Sequence, residues 1–148
     1  MPITDITRFV ALERNLASSG QPNEAQFLEL AAAGFQVVIN LALHDDPRYS
    51  LKDEPAAVAA AGMRYVHIPV QFSAPTLADL QRFCAAMNEA GEAKVLVHCA
   101  HNKRVPVFIA LYRIREQGWA KDAALLAMRA VWVPDAQWSA FIAQALAA

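Results

Sequence analysis

From Val95 to Val97 the chain is apolar without a break, and from Pro106 onward Val107, Ile109, Ala110, Leu111 and Ile114 recur at roughly helical spacing. The first pattern suits a strand buried on both faces. The second suits a helix, with proline in a first turn that needs no amide donor. Strand-like and helix-like stretches alternate along the rest of the chain. Phe9 to Leu16 alternates apolar and polar residues, as a short antiparallel edge element does. Ser19-Gly20-Gln21-Pro22 reads as a turn, and Asn23 as the cap of a helix over Glu24 to Ala33 that Gly34 ends. Val37 to Leu43 reads as a strand, broken by His44-Asp45-Asp46-Pro47. A helix over Pro55 to Ala61 stops at Gly62, and a strand over Tyr65 to Ile68 is closed by Pro69. Thr76 opens a helix to about Asn88, with Asp79 placed for a capping box. Beyond the strand at Val95 come helices over Pro106 to Gln117, Asp122 to Val131 and Asp135 to Ala147.

This alternation predicts an α/β fold: a mostly parallel sheet of about four strands with helices on both faces, in a single domain over residues 1–148. In such sheets the functional crevice lies beyond the carboxyl ends of the strands. Three loops reach that edge: His44–Tyr49, Val70–Pro75 and Cys99–Arg104.

The last of these carries the candidate chemistry. A strand that ends in a cysteine, turns tightly and enters a helix aims several free backbone N–H groups at one point, and the helix dipole adds to their field. That point suits an anion. The same field favours a thiolate, so Cys99 is expected to be a nucleophile at neutral pH. Arg104, five residues on, can offer two parallel N–H bonds to a bound oxyanion, which lysine cannot do. His98 can brace the loop backbone through its ring, and Asn102 tolerates a left-handed conformation in the turn. Ala100, His101 and Lys103 contribute through their backbone amides. Elsewhere the bland reading wins. Cys84 falls on an apolar helical stripe with Leu80, Phe83 and Met87 and reads as core. Asp79 reads as a cap, His67 as half-buried structure, and Trp119, Trp132 and Trp138 as core.

Composition narrows the rest. The chain has 148 residues, 56 % of them apolar, and a net charge of −1, which gives no electrostatic footprint for nucleic acid or an anionic membrane. No apolar run approaches the ~18 residues of a membrane span. No basic, apolar leader opens the sequence, so a cytoplasmic location is expected unless a signal has been removed. Two cysteines make no disulfide scaffold, and no Cys/His spacing of zinc type appears, so no metal or cofactor is expected. Oligomeric state stays open.

Four segments together resemble the cysteine-dependent tyrosine and dual-specificity phosphatase superfamily. They are Ser19-Gly20-Gln21-Pro22, Gly34-Phe35-Gln36-Val37-Val38-Ile39-Asn40-Leu41, Tyr65-Val66-His67-Ile68-Pro69-Val70, and Val97-His98-Cys99 with Arg104. The likeness is greatest to the small bacterial phosphatase-like domains that also occur fused to beta-lactamase-like hydrolases. It implies a phosphatase-like fold in which Cys99 attacks phosphorus and Arg104 with the amides of residues 98–103 holds the phosphoryl oxygens. Water then hydrolyses a phosphocysteine. The chain departs from that pattern in three places. Four residues separate Cys99 from Arg104, one fewer than usual and similar to rhodanese-type sulfurtransferases. Val105-Pro106 supplies no hydroxyl after the arginine. Phe72 stands where the family's acid loop carries an aspartate, and Asp45 or Asp46 is the nearest substitute. General acid catalysis contributes about 10²- to 10⁴-fold, so a phosphatase without it should be slow and favour aryl esters. Three readings stay open: a phosphatase acting on a phosphorylated small molecule or phosphoprotein, a sulfurtransferase served by a sulfane-sulfur donor, and a non-catalytic oxyanion binder.

Overall fold

The apolar run at Val95 becomes the middle of the sheet. In the computed structural model, which describes residues 2–148, five strands form: β1 (Val10–Glu13), β2 (Leu16–Ser19), β3 (Val37–Asn40), β4 (Arg64–His67) and β5 (Val95–His98). They lie in the order β1-β2-β5-β3-β4, with β1 antiparallel to β2 and the other pairs parallel. The sheet therefore has one strand more than the apolar pattern predicts. What reads as one edge element is a hairpin, and its second strand is an interior one that pairs with β5 from Leu16↔Val95 to Ser19↔His98. Ser19 belongs to that strand, and the turn starts only at Gly20.

Among the described residues a 3-10 turn at Ile3–Asp5 and six α-helices complete the fold: α1 (Glu24–Ala32), α2 (Glu54–Ala60), α3 (Leu77–Ala90), α4 (Arg104–Glu116), α5 (Lys121–Arg129) and α6 (Ala136–Ala147). The alternation of side chains along each strand divides the core in two. Val38 and Leu96 pack with Phe27 and Leu30 of α1 and Val58 of α2. Val37, Ile39, Val95 and Val97 pack with Leu80 and Phe83 of α3 and Val107, Phe108 and Leu111 of α4. With both faces covered, the interior strands read as unbroken apolar runs. Cys84 is buried in the α3 layer, where burial and then Glu116 push its thiol up to about 11. Trp138 is fully buried, and Trp119 and Trp132 are half-buried against the same layer.

The caps behave as their residue types predict. Asn23 and Gln26 form a reciprocal capping box on α1, and Thr76 and Asp79 form one on α3. β3 stops at Asn40 because that side chain accepts the Ala42 N–H at 2.8 Å and bends the chain there. Topology fixes where a crevice opens. The helices after β2 and β3 cover one face, whereas α4, which follows β5, covers the other. The helices that follow β5 and its two neighbours thus leave to opposite faces, which opens a crevice at the carboxyl end of β5, where Cys99 lies.

Candidate active site

The turn after β5 is held from below. Asn102 adopts φ 56° as its residue type permits, and its side-chain amide donates to Arg8 O at 2.9 Å and Ser18 Oγ at 3.0 Å. From the side, Gln21 N donates to Ala100 O at 3.0 Å, and Gly20 bridges His101. A Cβ on Gly20 would stand 2.5 Å from the Ala100 carbonyl oxygen, so only glycine fits there. The Gly20-Gln21 pair thus clamps the loop. α4 begins at Arg104, two residues earlier than the proline predicts, so the arginine sits in the helix's first turn.

Cys99, Ala100, His101, Lys103 and Arg104 line a cleft of about 350 Å³. Its other walls come from Leu43, Asp46, Arg48 and Tyr49 on the loop after β3, and from Gln71, Phe72 and Ser73 on the loop after β4. These are the three loops that the strand order brings to one edge. Cys99 forms the floor. It is 0 % exposed, so a ligand meets it only from within the cleft. Arg104 is also buried. Its Nη1 donates to Val70 O at 2.8 Å, and its guanidinium carbon lies 5.9 Å from the Phe72 ring centre. His98 and Asn102 do not line the cleft: their side chains turn inward and support the loop.

The carboxylate nearest the site is unsuited to giving up a proton. Asp46 takes two bonds from the Arg48 guanidinium, at 2.9 and 2.6 Å, and one from the Arg48 N–H at 3.0 Å. These bonds, with the Arg104 charge as a lesser cause, hold its carboxyl at about 2. Phe72, 36 % exposed, occupies the matching wall and packs on Trp132 and Trp138. Asp79 caps α3 and pairs with Arg82, outside the cleft. His67 is half-buried, donates to or accepts from nothing in the cleft, and lies 2.6 Å from Ala42 O. Burial is the main cause holding its ring below the usual histidine range.

Residue types alone do not reveal Glu54. It is buried in the first turn of α2, with Oε2 2.7 Å from His98 Nε2 and Oε1 accepting from Gln21 Nε2 at 2.6 Å. Its one sequence signal is its spacing: Glu54 stands four residues before Val58 on the buried side of α2. An acidic residue at a helix start ordinarily reads as a partner of the dipole. Among the described residues no group of three or more His, Cys, Asp or Glu could hold a metal ion, and no helix is long and apolar enough to cross a membrane.

Comparison with known proteins matches this architecture. A candidate phosphatase (DUF442) from Shewanella putrefaciens, known from its crystal structure, superposes with a TM-score of 0.87 at 34 % identity, over 98 % of this chain and 95 % of the other. Dual specificity protein phosphatase TpbA of Pseudomonas aeruginosa is 34 % identical over 115 residues, 77 % of this chain and 50 % of its own. The beta-lactamase hydrolase-like protein of Xylella fastidiosa is 35 % identical over 117 residues, 78 % of this chain but 27 % of its own length. The chain therefore spans only part of the curated relatives it matches. Residues 7–115 fit the family described as "Beta-lactamase hydrolase-like protein, phosphatase-like domain", a stretch that contains all five strands and every residue of the cleft. By that match and these identities, the chain belongs to the phosphatase-like domain family of the beta-lactamase hydrolase-like proteins, within the cysteine-dependent phosphatase superfamily.

Proposed function

We propose that the protein is a cysteine-dependent hydrolase of phosphate monoesters with a preference for aryl esters. The observation that carries this reading is the meeting of Cys99 and Arg104 on one cleft, at the carboxyl end of the central strand and the head of α4. The amides of the turn and the guanidinium neutralise the phosphoryl oxygens, and the Cys99 thiolate attacks phosphorus as the ester oxygen departs. Water then attacks the phosphocysteine, releasing phosphate and restoring the thiolate. With Asp46 ionised and Phe72 on the facing wall, no carboxylic acid in the cleft protonates the leaving oxygen. An aryl oxide leaves without that help far more readily than an alkoxide, which is the basis of the expected preference.

A second reading is favoured by the same two residues and by the four-residue spacing between Cys99 and Arg104. Here the Cys99 thiolate attacks the outer sulfur of a sulfane donor, the donor's anion leaves, and the persulfide passes its sulfur to an acceptor. This sequence needs no proton donor in the cleft. One comparison separates the two: wild type and Cys99→Ser are offered an aryl phosphate, an alkyl phosphate, and thiosulfate with cyanide. Cys99-dependent phosphate release from the aryl ester, at least 10-fold above the alkyl ester by the general-acid contribution of about 10²–10⁴, supports the hydrolase. Cys99-dependent thiocyanate supports sulfur transfer. Inactivity in both assays with retained vanadate binding leaves an oxyanion-binding protein.

A further inference from the structure

The residue behind the nucleophile is held by two acceptors. The His98 ring is fully buried, with Nε2 2.7 Å from Glu54 Oε2 and Nδ1 3.2 Å from the Cys99 carbonyl oxygen. A neutral imidazole carries one N–H, so one of its nitrogens would face an oxygen lone pair to lone pair. Two arrangements avoid this: a doubly protonated ring beside a carboxylate, or a neutral ring beside a protonated Glu54. In both, Nδ1 carries the hydrogen that meets the Cys99 carbonyl, and Glu54 sets this by engaging Nε2. Gln21 Nε2 donates to Oε1 at 2.6 Å, and the Tyr65 hydroxyl is a further hydrogen-bonding partner. Burial by itself would raise the carboxyl, but the facing His98 and these donors more than offset it and hold Glu54 below the ordinary range. The other titratable groups near the pair come from β4 and the loop before α2. Tyr65 is raised by burial and by Glu54, His67 is held low chiefly by burial, and His44 stacks on His67 with ring centres 3.6 Å apart.

We infer that Glu54 is a positioning residue for the nucleophile: it engages His98 Nε2, so that Nδ1–H donates to the Cys99 carbonyl and fixes the loop from behind. This role rests on the reading of Cys99 as a reacting thiolate, but not on which reaction that thiolate performs. The hydrogen-bonded carbonyl belongs to the same peptide as the Ala100 N–H. A donor on its oxygen strengthens that N–H as a donor in turn. Gln21 serves two ends of the arrangement, since its side chain holds Glu54 while its backbone holds Ala100 O. Helix α2 is thus coupled to the turn through buried groups that never enter the cleft.

The test is the pH profile of Cys99 alkylation in wild type and Glu54→Gln, read with thiolate absorbance, together with ring ¹⁵N shifts of His98 in the wild type. Cys84 stays silent in this range, because its thiol is pushed up to about 11. The expected result is a ring hydrogen on Nδ1. In Glu54→Gln the profile should move to higher pH, with the rate at pH 6 reduced roughly 10-fold, because a loop no longer held through His98 aims its N–H donors at the thiolate less well. An unshifted profile in a folded Glu54→Gln, or an Nδ1 without hydrogen in the wild type, overturns the inference. Removing one member of a buried pair can unfold a protein, and the ¹⁵N measurement needs no variant. Absence of phosphatase activity alongside a shifted profile would reject the phosphate-ester reading and leave the role of Glu54 standing.

Discussion

Arg104 shows how one side chain can serve structure and anion at once. A guanidinium has five N–H donors in a planar fork, and one of them is taken by Val70 O. That bond and the Phe72 ring hold the fork at the cleft, and the remaining donors are left for two oxygens of a tetrahedral anion. Lysine would keep the charge but could not grip Val70 and chelate an oxyanion together. Arg104→Lys should therefore weaken phosphate or vanadate binding by roughly 1.5–3 kcal/mol, about 10- to 150-fold, as measured by calorimetry. Binding equal to wild type would remove Arg104 from the anion site. Gly20 makes the complementary case, since the Ala100 carbonyl occupies the space where any side chain would begin.

At the scale of elements, the C-terminal helix acts on the cleft from a distance. Trp138 Nε1 of α6 donates to Phe72 O at 2.9 Å, Gln137 Nε2 donates to Ser73 O, and Phe72 rests between Trp132 and Trp138. With Arg104 on Val70, the loop after β4 is tied down along its length. Trp138→Phe keeps a ring in the core but loses the N–H and some volume, which should cost roughly 1–3 kcal/mol in chemical denaturation. Hydrogen exchange of the Gln71–Ala74 amides should quicken while the amides of β3 and β5 stay protected. Equal exchange in the loop would mean that α6 does not fix it. These long-range ties also mark what a sequence conceals. The strand, cysteine, polar turn and helix over residues 95–116 were legible because their causes are local: β-branched residues, a proline, a left-handed asparagine. The three-loop cleft was legible from the strand–helix alternation, which puts the loops after parallel strands at one edge. β2 was not, because Ser19 reads with Gly20 as a turn and Ser18 is polar, until Asn102 and the Gly20 carbonyl are seen to satisfy the two hydroxyls. Glu54 was hidden for the same reason, its partner lying 44 residues away.

Over the whole molecule, the buried polar groups behind the sheet edge set how the fold responds to acid. Glu54 has a folded carboxyl below its ordinary value, so between the two values the unfolded chain binds more protons. Stability from this group is complete above the unfolded carboxyl value of about 4.3 and is lost as pH falls through the folded one. His67 works in the same direction through the opposite charge. Its folded ring is held below the usual histidine range, so the unfolded chain takes up a proton first, near pH 6.5. Acid should therefore destabilise the protein in two stages, one beginning below about pH 6.5 and a steeper one below about pH 4.5. Thermal melts between pH 7.5 and 3 would show both as breaks in the slope of Tm. His67→Gln should flatten the first without moving the second, because a glutamine near Ala42 O does not titrate. Glu54→Gln should reduce the second, leaving the part that Asp46 contributes, at the cost of a lower Tm at neutral pH, where the paired carboxylate is ionised. A Tm that falls smoothly in both variants as in wild type would mean that acid unfolding is governed by overall charge rather than by these two buried groups.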